Sequence, residues 1–331
     1  MTPTSLGLPF VDLELEARVR SKLLEIEKEL ALAVESDFDF VNEAAHHLLG
    51  AGGKRFRPLL VVLASEFGDP RSAAVVPAAL VVELTHLATL YHDDVMDEAD
   101  LRRGAQSANA RWDNSIAILT GDFLFARASE IVADLGPDAV RIQAATFSRL
   151  VQGQIRETVG PRSGENALAH YLAVVADKTG SLIATSARFG ARLADADSDS
   201  ERTLTDFGES IGTAFQLSDD IIDVTSETSD SGKTPGTDLR EGVPTLPTLL
   251  ALDSPGDSGG RLRELLSGPL LDDVRHAEAL QLLRADPAMR LAREEVERHT
   301  AAARASLESL PAIPARDALF ALCDLVTTRT S

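Results

Sequence analysis

Apolar residues recur along most of this chain every three or four positions, the period of one helix face. Leu13, Ala17, Leu24, Ile26 and Leu30 set the pattern. It predicts helices over residues 13–34, 40–49, 59–67, 72–97, 107–135, 138–159, 167–193 and 201–224, then helix with short breaks to 329. Residues 59–67 are apolar on nearly every side, which marks a buried helix. Gly50-Ala51-Gly52-Gly53, Gly68-Asp69-Pro70, Gly136-Pro137 and Gly160-Pro161 supply the stops. No strand-period alternation persists, and no repeat of solenoid length is present. Residues 225–242, rich in Ser, Thr, Gly and Asp, form a long loop and so a functional suspect. A weaker linker lies at 253–260. Neither linker is long enough to demand a boundary, so the expectation is one all-α domain over 1–331.

Composition fits this picture. Of 331 residues, 44% are hydrophobic and 25% charged, as in a globular protein, and only 5% are aromatic, a bias toward helix. The net charge of −20 disfavours nucleic acid and anionic membrane surfaces as partners. No apolar run approaches the roughly 20 residues that span a bilayer, so no transmembrane segment is expected. Residues 1–10 lack the basic start and apolar core of a signal peptide. The single cysteine, Cys323, has no internal disulfide partner and lies in an apolar stretch. A buried inert thiol and a cytoplasmic location follow as expectations.

The acidic surplus is not evenly spread. Asp93-Asp94-Val95-Met96-Asp97 and Asp219-Asp220-Ile221-Ile222-Asp223 are matching clusters, both Asp-Asp-x-x-Asp. On a helix, residues four apart share a face, so Asp93 pairs with Asp97 and Asp219 with Asp223. Such like-charge pairs destabilise a helix, and Asp is a poor interior helix residue. Both clusters follow apolar helix, where carboxylates are costly unless compensated. A hard divalent cation compensates them; Mg²⁺ takes one or two protein carboxylates and completes its shell with water and phosphate. The spacing is not that of an EF-hand loop. The bland alternative, two solvated acidic helix ends, explains one cluster more readily than two.

Basic groups keep company with these clusters. Arg102-Arg103 follow the first. Gly52-Gly53-Lys54-Arg55-Phe56-Arg57-Pro58 is a basic Gly-rich turn opening a helix, suited to an anion but not a P-loop. Lys178-Thr179-Gly180 adds an ammonium and a hydroxyl, Gln216 lies one turn before Asp220, and Lys233 lies in the long loop. His86 stands seven residues, two helical turns, before Asp93. Singly each is an ordinary surface or structural residue.

Together these motifs, with His92-Asp93-Asp94, Arg102-Arg103-Gly104 and Phe215-Gln216-Leu217-Ser218-Asp219-Asp220, resemble the trans-isoprenyl diphosphate synthases, most nearly the bacterial long-chain polyprenyl diphosphate synthases. The resemblance runs from about residue 20 onward with the motifs in family order. It implies an isoprenoid-synthase fold, a large helical bundle around a deep central cavity, and a homodimer. It implies Mg²⁺, three ions per active site, on Asp93, Asp97, Asp219 and Asp223, with Asp94 and Asp220 supporting catalysis. Lys54, Arg57, His86 and Arg103 are implied to hold isopentenyl diphosphate. Arg102, Lys178, Thr179, Gln216 and Lys233 are implied to hold the allylic diphosphate, with Lys178 also catalytic. One departure stands out: many members have two lysines in Gly-Lys-Asp-Leu-x-Glu-Gly-Lys, whereas Thr237 and Val243 replace them here, and Lys233 or Arg240 is left to compensate.

The implied reaction ionises the allylic C–O bond, and the double bond of isopentenyl diphosphate attacks the cation. Proton loss leaves a product five carbons longer. In the family, the residues four and five before the first cluster floor the cavity; here they are Thr89 and Ala88, both small, which implies a product longer than twenty carbons. A geranylgeranyl or farnesyl diphosphate synthase is the alternative. A released long-chain product implies transient membrane contact. A terpene cyclase fits less well, because it usually carries one Asp-rich motif. A non-catalytic partner subunit fits less well, because such subunits lack these motifs.

Overall fold

The computed structural model describes residues 7–226, 235–253 and 259–330. Their architecture is all-α apart from one short ribbon. Contacts divide the chain into two compact units: Met1–Ser148 with Leu182–Gly208 and Ser306–Ala321, and Arg149–Ser181 with Glu209–Ala305 and Leu322–Ser331.

The first unit contains α1 (Leu13–Ala33), α2 (Asp39–Gly50), α3 (Phe56–Ser65), α4 (Val75–Met96), α5 (Ala108–Arg111) and α6 (Asn114–Asp134). Its centre is α4. From Ala78 to Thr85 every residue is buried, and so are Leu87, Ala88 and Tyr91. The Tyr91 hydroxyl donates to the Ala44 carbonyl at 2.6 Å and accepts from the Leu48 N–H at 3.1 Å, tying α4 to α2. Against α6, backbone approaches so closely that a Cβ on Gly121 would lie 3.0 Å from the Ala88 carbonyl oxygen and 2.3 Å from His92 Nε2. Helix α4 is long and apolar enough, by length and composition, to cross a membrane, contrary to the count of apolar runs. Two-thirds of it is buried inside the protein and it carries Glu83, His86 and the first Asp cluster, so it is a core helix.

Helix α7 (Pro137–Val159) and helix α10 (Ser198–Thr225) each contribute to both units, as does α16 (Pro314–Thr328), while α9 (Ser181–Leu193) lies almost wholly in the first. The second unit adds α8 (Ala167–Val175), α11 (Thr237–Glu241), α12 (Leu246–Asp253), α13 (Gly259–Leu265), α14 (Asp273–Ala285) and α15 (Ala288–Leu307). Leu283, Ala292, Val296 and Cys323 are fully buried there. Burial pushes the Cys323 thiol up to about 12, as expected of an inert cysteine.

Four local features depart from the predicted helices. Residues 107–135 are two helices, because Ser107 and Asp113 each cap a new N-terminus through the Ala110 and Ile116 N–H groups. Leu101–Arg102 and Ala105–Gln106 form an antiparallel ribbon, β1 and β2, where no strand was expected. Its two-residue turn places both Arg103 (φ 54°) and Gly104 (φ 75°) in the left-handed region. A π-turn at Ala176–Gly180 interrupts the helix predicted over 167–193. Within the long loop, Gly236 and Gly242 bracket α11.

Candidate active site

In the first unit the last turn of α4 presents Asp93, Asp94 and Asp97 differently. Asp94 is fully buried and accepts from Arg102 Nε at 2.5 Å; its other oxygen, Oδ2, is buried without a hydrogen-bond partner. Burial raises the Asp94 pKa, and Arg102 opposes the rise. Asp93 is half-buried and Asp97 exposed, one helical turn apart. Arg102 reaches toward Asp97 as well, at 4.0 Å. The ribbon is thus what brings Arg102 back over the helix end.

Its neighbour Arg103 donates to the Gly52 carbonyl of the Gly-rich turn, which justifies an arginine in a left-handed position. In that turn Lys54 is exposed and Arg57 half-buried, its Nε sealed without a partner. Burial lowers the Arg57 pKa to about 10, with Glu83 opposing and Arg103 adding to the fall. His86 is held well below the usual histidine range, by burial first and then by Arg57, Arg103, Arg55 and Arg102. A neutral imidazole inside a guanidinium cluster can donate to or accept from a diphosphate without adding charge.

Arg55, on which the sequence placed no role, turns the other way. It takes up φ 47° before α3, is 4% exposed, and pairs with Glu27 and with Glu83, the latter at 2.8 Å. Glu83 is 1% exposed. This ion pair faces the protein, leaving Lys54 and Arg57 as the cations of the turn that remain for an anion. A glutamate inside an apolar helix was the available signal for it.

In the second unit the end of α10 carries Asp219, Asp220 and Asp223. Asp220 is 5% exposed and accepts from the Tyr171 hydroxyl, from Gln216 Nε2 at 3.2 Å and from the Leu246 N–H at 3.4 Å. Burial raises its pKa to about 6 despite these donors. Thr179 donates to Gln216 Oε1 at 3.3 Å, so the Lys178-Thr179 motif joins this network. Asp223 accepts from the Thr237 and Asp238 N–H groups at 3.2 and 3.3 Å, capping α11. Asp219 accepts from Arg329 Nη2 at 2.6 Å. Lys178, in the π-turn, donates to Glu157 at 2.5 Å. Close packing sets that turn: a Cβ on Gly153 would lie 2.6 Å from the Lys178 backbone nitrogen. Lys233 lies outside the described residues. Tyr171, Glu157 and Arg329 were not singled out from the sequence; Tyr171 is one of only two tyrosines, two helical turns before Lys178, and that was its faint signal.

Among the described residues, no three His, Cys, Asp or Glu side chains form a ready-made metal cage. The donor set nevertheless fits Mg²⁺, which binds one or two carboxylates and fills its remaining positions with water and phosphate oxygens. Of the six aspartates, Asp94 and Asp220 are buried, whereas Asp93, Asp219 and Asp223 are half-buried and Asp97 is exposed.

Helical scaffold, paired aspartate clusters and clustered guanidinium groups define a class of metal- and diphosphate-using helical enzymes. The sequence model described as polyprenyl synthetase matches residues 38–282, and the chain belongs to that family of prenyltransferases. It is 49% identical over 324 residues to nonaprenyl diphosphate synthase of Mycobacterium tuberculosis, covering 98% of this chain and 97% of that protein. Dimethylallyltranstransferase of the same organism is 42% identical, over 97% of this chain and 96% of its own length. The crystal structure of geranylgeranyl pyrophosphate synthase from Corynebacterium glutamicum, complexed with calcium and isoprenyl diphosphate, superposes with a TM-score of 0.89. It is 47% identical and covers 98% of this chain and 99% of its own.

Proposed function

We propose that this chain is an all-trans polyprenyl diphosphate synthase that condenses isopentenyl diphosphate head-to-tail onto an allylic diphosphate, giving a product longer than twenty carbons. The observation that carries the reaction is the pair of Asp-Asp-x-x-Asp helix ends, each with outward carboxylates and neighbouring cations, in a member of the polyprenyl synthetase family. Mg²⁺, three ions per site, would be held by Asp93, Asp97, Asp219 and Asp223, and when bound supplies the Lewis acidity that stabilises the leaving diphosphate. Asp223 serves in addition as the cap of α11.

The chain's own groups do the rest. Lys54, Arg57, Arg103 and neutral His86 fix isopentenyl diphosphate. Arg102, Lys178, Thr179 and Gln216, with Lys233, fix the allylic diphosphate, and Lys178 neutralises charge as it leaves. Long product length is supported by the small Ala88 and Thr89 and by the likeness to the nonaprenyl enzyme. The chain would act in the cytoplasm as a homodimer, for which the exposed Ile118 and Leu119 of α6 are the candidate apolar surface, and would release product by transient membrane contact.

A second reading, geranylgeranyl diphosphate synthase, is favoured by one observation: the Corynebacterium protein bears that name at 47% identity. Labelled isopentenyl diphosphate with Mg²⁺ and, separately, dimethylallyl, geranyl, farnesyl and geranylgeranyl diphosphates decides between them. Products beyond twenty carbons support the first reading, and arrest at twenty supports the second. No incorporation with any primer sinks both.

A further inference from the structure

The second aspartate cluster carries a cation supplied by the chain itself. Asp220 is committed to Tyr171, Gln216 and the Leu246 N–H. Both oxygens of Asp223 accept backbone N–H groups of α11. Asp219 has the freest carboxylate, 42% exposed, and its Oδ1 is held by Arg329 Nη2 at 2.6 Å across 110 residues of sequence. Arg329 does not reach there as a loose surface chain. Its side chain is 21% exposed, and its guanidinium lies 4.8 Å from the centroid of the Phe215 ring, one helical turn before Asp219. Its backbone N–H is anchored to the Leu325 carbonyl at 3.2 Å. Its other terminal nitrogen, Nη1, is buried and makes no hydrogen bond.

We infer that Arg329 is the resident counter-cation of Asp219: it holds the carboxylate while no substrate is bound and yields it to a metal ion more readily when diphosphate arrives. The inference rests on reading Asp219 as a metal ligand. A cation approaching Asp219 alone competes with a charge-assisted hydrogen bond on Oδ1 and meets a fixed positive charge beside it. A diphosphate changes both terms. Its oxygens offer the guanidinium new acceptors, among them a partner for Nη1 once the side chain shifts, and its charge offsets the repulsion between guanidinium and metal. Metal and diphosphate then bind with positive coupling through one side chain. This explains why no preformed metal cage is needed: the metal is accepted together with the anion it accompanies.

The test uses the full chain, Mn²⁺ as a spectroscopic substitute for Mg²⁺, and inorganic pyrophosphate as the anion. Free and bound Mn²⁺ are measured by electron paramagnetic resonance with and without pyrophosphate. Without pyrophosphate, Arg329→Ala is expected to bind Mn²⁺ roughly fivefold or more tightly than the parent, the low end of a typical coupling. With pyrophosphate the two converge, and Arg329→Lys lies between them. In Asp219→Asn the Arg329→Ala change adds nothing, which locates the effect at this pair. Unchanged or weaker Mn²⁺ binding in both Arg329 variants overturns the inference, as does an equal gain in the Asp219→Asn background. Should Arg329→Ala fail to fold, Arg329→Lys and Asp219→Asn carry the same comparison. If the parent incorporates isopentenyl diphosphate while these affinities do not move, this inference alone fails; if it incorporates none, the proposed function fails.

Discussion

Single side chains in this protein act through partners that reshape their charge. His86 is the clearest case, an imidazole kept neutral by burial and by four arginines. Its pKa in the folded protein lies below the unfolded value of 6.5, so the unfolded chain binds the proton more tightly. The contribution of His86 to stability is therefore complete above pH 6.5 and drains away as pH falls below it. His86→Gln removes that dependence. Thermal midpoints of the metal-free protein between about pH 7.5 and 5.5 should fall more steeply for the parent than for the variant. Parallel curves would mean that the ring is protonated in the folded state as easily as in the unfolded one. Tyr171 offers a second residue-scale test. Tyr171→Phe deletes one donor to the buried Asp220 and leaves a polar group short of a partner, at a cost of about 1–3 kcal/mol. The KM for the allylic diphosphate should rise while that for isopentenyl diphosphate stays put, because the Tyr171 hydroxyl is bonded to the second cluster through Asp220. An equal rise in both would mean a general loss of fold.

At the scale of elements, functional side chains are delivered by breaks in helices. The π-turn at Ala176–Gly180 carries Lys178 and Thr179, and it sits where α7 has no side chain at Gly153. A methyl group there meets backbone at 2.6 Å, which cannot be relieved by a rotamer change. Gly153→Ala should therefore shift the turn and lower kcat at least tenfold with far-ultraviolet circular dichroism unchanged. Full activity would show that the turn tolerates displacement. Such breaks were the part of the fold that the sequence concealed. Helix existence was legible because apolar periodicity sums over many residues. The split at Trp112, the π-turn and the ribbon were not, because each depends on one cap or one packed contact. The same divide runs through the candidate site. Asp93, Asp97, Asp219, Arg102 and Arg103 announced themselves by defying local preference, as like charges in one helix turn or paired arginines beside them. Glu83, Tyr171 and Arg329 are ordinary in their own neighbourhoods and gain meaning only from residues 28, 49 and 110 positions away.

For the whole molecule, the product's length is the property most open to a decisive experiment. Small residues at 88 and 89 were the reason to expect a long product. The two positions are not equivalent. Ala88 is 1% exposed and its helix backbone packs against α6 at Gly121, whereas Thr89 is half-buried and bonds back to the His86 carbonyl at 2.8 Å. A phenyl ring at 88 must enter filled space, at a cost of about 1–3 kcal/mol or more. Thr89 is not fully buried, so a ring there displaces less packed protein than one at 88. Thr89→Phe is therefore expected to shorten the product by several five-carbon units with the thermal midpoint nearly unchanged. Ala88→Phe is expected to shorten the product as well, but with a lowered midpoint. Chromatography of the dephosphorylated products beside a melting curve separates the cases. If only Ala88→Phe shortens the product, chain length is limited by distortion of α4; if neither does, the limit lies elsewhere along the chain and the small residues at 88 and 89 serve helix packing alone.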